Sequence, residues 1–368
     1  MASRYRAVAL LFALPPLTAE VLSGYSGHAT PLGVVTAVLI AGPLYGAVAV
    51  LIREAAVRTG LGWVSILLVC GAFGMVQAGL IDQSLLDQEH FADSPYWAGR
   101  ATEVPGVGID ISQLLVFVGG HAMVTFGAPI ALVEGIFARS AAQPWLRRPG
   151  LAVFGLLYLG AASLFCYELV VVPGLVGSPV RLAGVSAVVV VLVVVAFALP
   201  RRPHRWPTSA RFDADGPGKW RDRAPHPTLV GSLTVLSVGT HMVLRAPEPL
   251  LGPLAWVWVA ASVAPLTLLA YALHRWSRRR MWRRAHLLAV AFAPLICTAL
   301  LAFAVPPVHD GNWPPKLISN TAALLILLVA WLCASRITPP SREQQAATIT
   351  PTAATGGHRF ANEGEDRS

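Results

Sequence analysis

Apolar residues in this chain fall into long blocks almost free of charge, separated by short segments rich in arginine, proline or glycine. A helix crossing the ~30 Å hydrocarbon layer needs about 20 mostly apolar residues. Ten blocks meet that requirement. They run Tyr5 to Leu22, Leu32 to Ile52, Leu61 to Ile81, Ile111 to Phe137, Leu151 to Val172, Leu182 to Leu199, Leu229 to Leu244, Leu250 to Leu273, His286 to Val305 and Leu317 to Ser335. The pattern predicts an all-α fold, a polytopic transmembrane helix bundle of about ten spanning helices. The first block holds Pro15, Pro16 and Glu20 and has no small-residue cleavage site directly after it, so it reads as a retained helix.

Arginines set the orientation. With a cytoplasmic N-terminus, 24 of the 28 basic residues fall on the inner side, and Arg100, Arg181, Arg245 and Lys316 fall outside. This alternation holds at every loop, as the positive-inside rule requires, and predicts that both termini are cytoplasmic. Losing the short seventh block would move the "RWSRRRMWRR" cluster outside. Four regions follow: helices one to six over 1–200, a basic cytoplasmic linker over 201–228, helices seven to ten over 229–336, and a polar tail over 337–368 expected to be disordered.

Composition agrees with this picture and narrows the partners. Apolar residues make up 55% and charged residues 13%, with a mean hydropathy of +0.60, far from a water-soluble domain. The net charge of +9 sits in inner loops, so anionic lipid headgroups are the expected partner and nucleic acid is not. Only Lys219 and Lys316 are lysines, a bias of GC-rich bacterial genomes, and the bacterial plasma membrane is the expected location. Cys70, Cys166, Cys297 and Cys333 all lie in apolar blocks without metal-ligand spacing and read as reduced packing residues. Trp145, Trp206, Trp276 and Trp282 on the inner side, with Trp97 and Trp313 on the outer, read as interfacial belts.

Polar side chains at membrane depth are costly unless they face other helices or water. Glu20, Gln77, Asp82, Gln113 and Glu168 lie in the outer half of their blocks or at the outer boundary, while His121 and His241 lie deeper. Gln113, Phe117, His121 and Thr125 recur every four residues and share a slowly rotating stripe. Together these residues mark an outward-facing polar recess for a small-molecule or ion ligand. The competing reading is polar glue between helices, with Gly71, Gly74 and Ala78 as a close-packing stripe. Arg53, Glu54 and Arg58 read as interfacial anchors, the last two spaced for an i,i+4 pair, and Glu134 as a boundary carboxylate near Arg139. Asp87, Glu89, His90 and Asp93 match no defined metal site, and no nucleotide or hydrolase motif stands in context. No metal or cofactor is expected.

The stretches "GPLYGAVAVLIREAAVRTGLGWVSILLVCGAFGMVQAGLIDQSL" and "FVGGHAMVTFGAPIALVEGIFARSAAQPWLRRPGL" resemble an uncharacterised family of polytopic membrane proteins from GC-rich bacteria. The likeness covers helices two to five and implies a fold without an activity. A fainter likeness is to the CPBP-type intramembrane endopeptidases, whose F-x-x-x-H element is matched by Phe117 and His121. Where that family carries its glutamate pair and arginine, this chain has Gln77, Ala78 and Asp82, and an amide cannot take the proton that water activation releases. The reading that follows is a transporter-like or ligand-sensing bundle. A structural or partner subunit of a membrane complex is the alternative, and a membrane enzyme the third.

Overall fold

The computed structural model describes residues 2–23, 31–86, 101–105, 108–201, 223–245, 251–279, 281–306 and 313–336. Most of the expected linker, the expected tail and the Asp87 to Asp93 acids lie outside these residues. The fold is helical throughout, and the β-pairing among the described residues is one isolated bridge, Glu103 to Asp110.

The helices are α1 (Ala2–Pro16), α2 (Pro31–Ala41), α3 (Ala47–Thr59), α4 (Trp63–Val76), α5 (Ile111–Gly120), α6 (Ala128–Ile136), the short α7 (Ala138–Ala141), α8 (Arg148–Cys166), α9 (Pro179–Ala198), α10 (Pro227–Leu244), α11 (Leu254–Trp276), α12 (Arg284–Leu301) and α13 (Trp313–Arg336). Among the described residues five π turns interrupt or end the first of them: π1 (Leu17–Val21), π2 (Gly42–Gly46), π3 (Gln77–Ile81), π4 (His121–Gly127) and π5 (Tyr167–Val171). Two of these have a cause in proline. The Pro43 ring sits inside π2, and in a regular helix the Pro129 ring would strike the Thr125 carbonyl, which the widened π4 turn displaces.

Nine helical stretches among the described residues are long and apolar enough to cross a bilayer. The first of the ten expected blocks, helical from Ala2 to Val21, is not among the nine and carries Arg4, Arg6 and Glu20. Large apolar side chains cover the periphery: Leu156 and Leu268 are each 70% exposed. Helices so clad suit a hydrocarbon solvent, where their backbone groups are already bonded internally.

The centre is built from the early helices. In the spans Leu32–Thr59 and Trp63–Ile81, 61% of the most apolar window is buried, against none in Arg148–Val171. Leu11, Leu44, Val48, Ile52, Ile66, Phe126 and Ile130 form the main apolar cluster. A Cβ on Gly46 would collide with the Phe12 carbonyl, so α1 reaches the centre only because that position has no side chain. A second cluster joins Val124, Ala128 and Leu132 to Val238, Leu288, Phe292 and Leu295, and seats α10 and α12 against π4 and α6.

Candidate functional site

Glu20, Gln77 and Asp82 stand near one another at the ends of π1 and π3, His121 lies against Gly74 deeper in the bundle, and Gln113 stands apart in the first turn of α5. Gly74 lets α4 lie against the start of π4: a Cβ there would be 3.1 Å from the His121 Cβ and 3.2 Å from the Val118 carbonyl oxygen. The His121 ring therefore rests between elements, with its centroid 5.5 Å from that of Tyr45 and 6.0 Å from that of Phe126. Its Nδ1 is 3.2 Å from the Thr125 hydroxyl, a contact along the predicted stripe.

One turn beyond Gly74, the buried Gln77 donates from Nε2 to the Asp82 carboxylate at 3.1 Å. The other Asp82 oxygen accepts the Ser84 N–H at 2.9 Å and turns the chain after π3. Glu20, half-buried in π1, lies within electrostatic range of Asp82. Glu20, Tyr45, Gln77 and His121 each stand in a π turn. A π turn widens the helix locally and recurs at binding sites. Proline at Pro43 and Pro129 was the only sequence signal for any of them.

Gln113 stands in the first turn of α5. Asp110, the N-cap, accepts its N–H at 3.0 Å and is itself held by the Thr102 N–H at 2.8 Å and the Ser112 hydroxyl at 2.6 Å. That rigid cap fixes a side chain only 4% exposed, whose Nε2 and Oε1 both lack a hydrogen-bond partner among the described residues. A buried primary amide left in this state costs roughly 1–3 kcal/mol.

Two expected site residues stand elsewhere. The His241 Nδ1 is 3.1 Å from the Ser262 carbonyl oxygen, a contact between α10 and α11. Glu168 is exposed on the outside of the bundle in π5.

The arginine-rich end holds a cluster that the sequence did not reveal, and three expectations are corrected there. Arg53 and Glu54 are fully buried and Glu134 is 1% exposed, so these are interior charges, not interfacial anchors. Glu134 pairs with Arg53 at 3.1 Å, while Arg139 is exposed. Trp145 is buried beneath the Arg53 guanidinium, 3.6 Å from the ring centroid, and Trp282 is buried and stacked on His286, so neither is a belt residue. The cause is local: the connector after α6 folds back over the end of α3 and offers its carbonyls. Arg53 donates to Glu54 at 2.7 Å and to the carbonyls of Ala141 and Gln143; Glu54 accepts the Trp145 N–H at 2.7 Å. The expected pair of Glu54 with Arg58 is present at 3.2 Å.

Among the described residues no group of three or more His, Cys, Asp or Glu side chains is arranged to hold a metal ion. Comparison with family models, with curated proteins and with solved structures returned no match.

Proposed function

We propose that this chain is a ten-helix protein of the bacterial plasma membrane, with both termini cytoplasmic, that binds a small polar solute or an ion in a recess opening on the outer side. It is a transporter-like or ligand-sensing bundle. The alternation of arginines supports the orientation, and anionic headgroups are the partners of the inner arginines. The observation that carries the binding role is the Gln113 amide, 96% buried with no partner for either polar atom among the described residues. Buried polar atoms are almost always satisfied in folded proteins, so an orphan amide held by a rigid cap is a group awaiting a ligand. Glu20, Gln77 and Asp82, which stand near one another, and His121 deeper in the bundle are the further groups proposed to hydrogen-bond a polar solute or surround a cation.

Thermal unfolding of the detergent-solubilised protein against a panel of ions, amines, amino acids and sugars tests this reading. A ligand that binds only the native state raises the unfolding temperature with concentration. At least one class should do so, and His121→Ala should abolish that response while leaving the yield of folded protein little changed. A flat response across the panel, together with co-purification of a fixed membrane partner, would favour the structural-subunit reading instead.

A further inference from the structure

Helix α8 carries a second, independent feature on the outside of the bundle. Between α2 and α8 lies an open groove of about 600 Å³ lined by apolar side chains, among them Leu39, Pro43, Leu157, Gly160, Leu164 and Phe165. Its α8 wall runs from Val153 to Phe165. At ~1.5 Å per residue that is roughly 18 Å, slightly more than one leaflet of a ~30 Å hydrocarbon layer.

The wall residues follow the helical repeat, at 153, 156, 157, 160, 161, 164 and 165, and the α-helical continuation of that stripe falls at 168, just past the end of α8 in π5 and beyond the groove's lining. Glu168 occupies it. This carboxylate is exposed, lies three residues from the end of the span at Val171, and forms no ion pair or hydrogen bond among the described residues. An ionised side chain at the edge of hydrocarbon requires either water or a counter-charge.

We propose that the groove is a lipid site, holding one acyl chain of an amine-bearing phospholipid whose ammonium group pairs with Glu168. The groove begins at Phe165, three residues from Glu168, and runs past the middle of the Arg148–Val171 span to Val153, so a chain whose headgroup sits at that carboxylate enters the groove directly. A second copy of this chain fits less well, because a two-fold contact over this face would bring in no cation from the described part of α2 or from α8 beyond Arg148, at the far end of the helix.

The test is thermal unfolding of the full-length protein in detergent with added phosphatidylethanolamine or phosphatidylglycerol, the second reporting lipid binding at the inner arginines. Phosphatidylethanolamine should raise the unfolding temperature of the unaltered protein by several degrees. Glu168→Gln should lose most of that rise and keep the response to phosphatidylglycerol. Gly160→Phe should do the same by filling the groove, and it should fold, since a Cβ at Gly160 meets no atom within 4 Å. An unchanged phosphatidylethanolamine response in either variant would overturn the proposal. So would a dimer in mild detergent that Gly160→Phe dissociates without any lipid effect.

Discussion

Arg53→Ala is expected to destabilise the protein by about 3–5 kcal/mol, because removing one partner of a buried ionic network strands the others without water. Glu134 would lose the Arg53 Nε–H, 3.1 Å away, and the carbonyls of Ala141 and Gln143 would lose their donor. Trp145 would lose the guanidinium stacked upon it. The connector from α6 to α8 is held over α3 by these contacts, so its release should also expose it to proteases. Arg53→Lys should rescue only part of the loss, since an ammonium cannot reach two carboxylates and two carbonyls with a planar fork. Coupling gives the control: adding Glu134→Gln to Arg53→Ala should cost less than the two single changes summed. Thermal unfolding in detergent and size-exclusion homogeneity measure these effects. A variant Arg53→Ala as stable as the parent would mean that the cluster is solvated and not interior.

Gln113→Leu should move stability the other way. The leucine is close in size and removes an amide whose two polar atoms are buried and have no partner among the described residues, so the ligand-free protein should gain about 1–3 kcal/mol. It should also stop responding to any solute that stabilises the parent. A glutamine that served as interhelical glue would behave oppositely, losing stability on replacement. Gain of stability with loss of binding is the usual exchange when a strained functional group is removed.

These two sites differ in how far the sequence announced them. The spanning helices were legible because hydrocarbon demands long uncharged runs, and the blocks from Leu32 onward recur as nine apolar helices among the described residues. Their arrangement was not. Pro179–Ala198 has the highest mean hydropathy of the nine, 2.7, yet only 11% of its window is buried; Trp63–Ile81, at 2.1, is at the centre with 61% buried. Lipid is as apolar as a protein core, so hydropathy does not distinguish a peripheral helix from a central one. What marks centrality here is the small residues Gly46 and Gly74, which admit a neighbouring helix.

The polar stripe on helix four was readable from its spacing, and His121 and Thr125 do meet along it. That Gln77 would reach Asp82 was less evident, since residues five apart do not align on a regular α-helix; the π3 turn, with more residues per turn, brings them together. The Glu54 and Arg58 pair followed from i,i+4 spacing. The burial of Arg53 did not, because apart from the adjacent Glu54 its partners lie more than 80 residues away, on α6 and on the connector beyond it. No local pattern encodes such a contact.

The most direct test of the central claim, a polar recess closed around Gln113 at rest that opens to the side opposite the arginine-rich end, is thiol labelling in a cysteine-free background. A cysteine at Gln113, one at Gln77 and one at the core position Leu295 are each exposed to a small, membrane-impermeant thiol reagent in intact cells and in inverted vesicles. The account predicts that Gln113→Cys and Gln77→Cys react from the outside of intact cells, slowed by any stabilising solute, while Leu295→Cys stays unlabelled from both sides. Protection of both recess positions in intact cells, or reaction only from the inverted face, would contradict it.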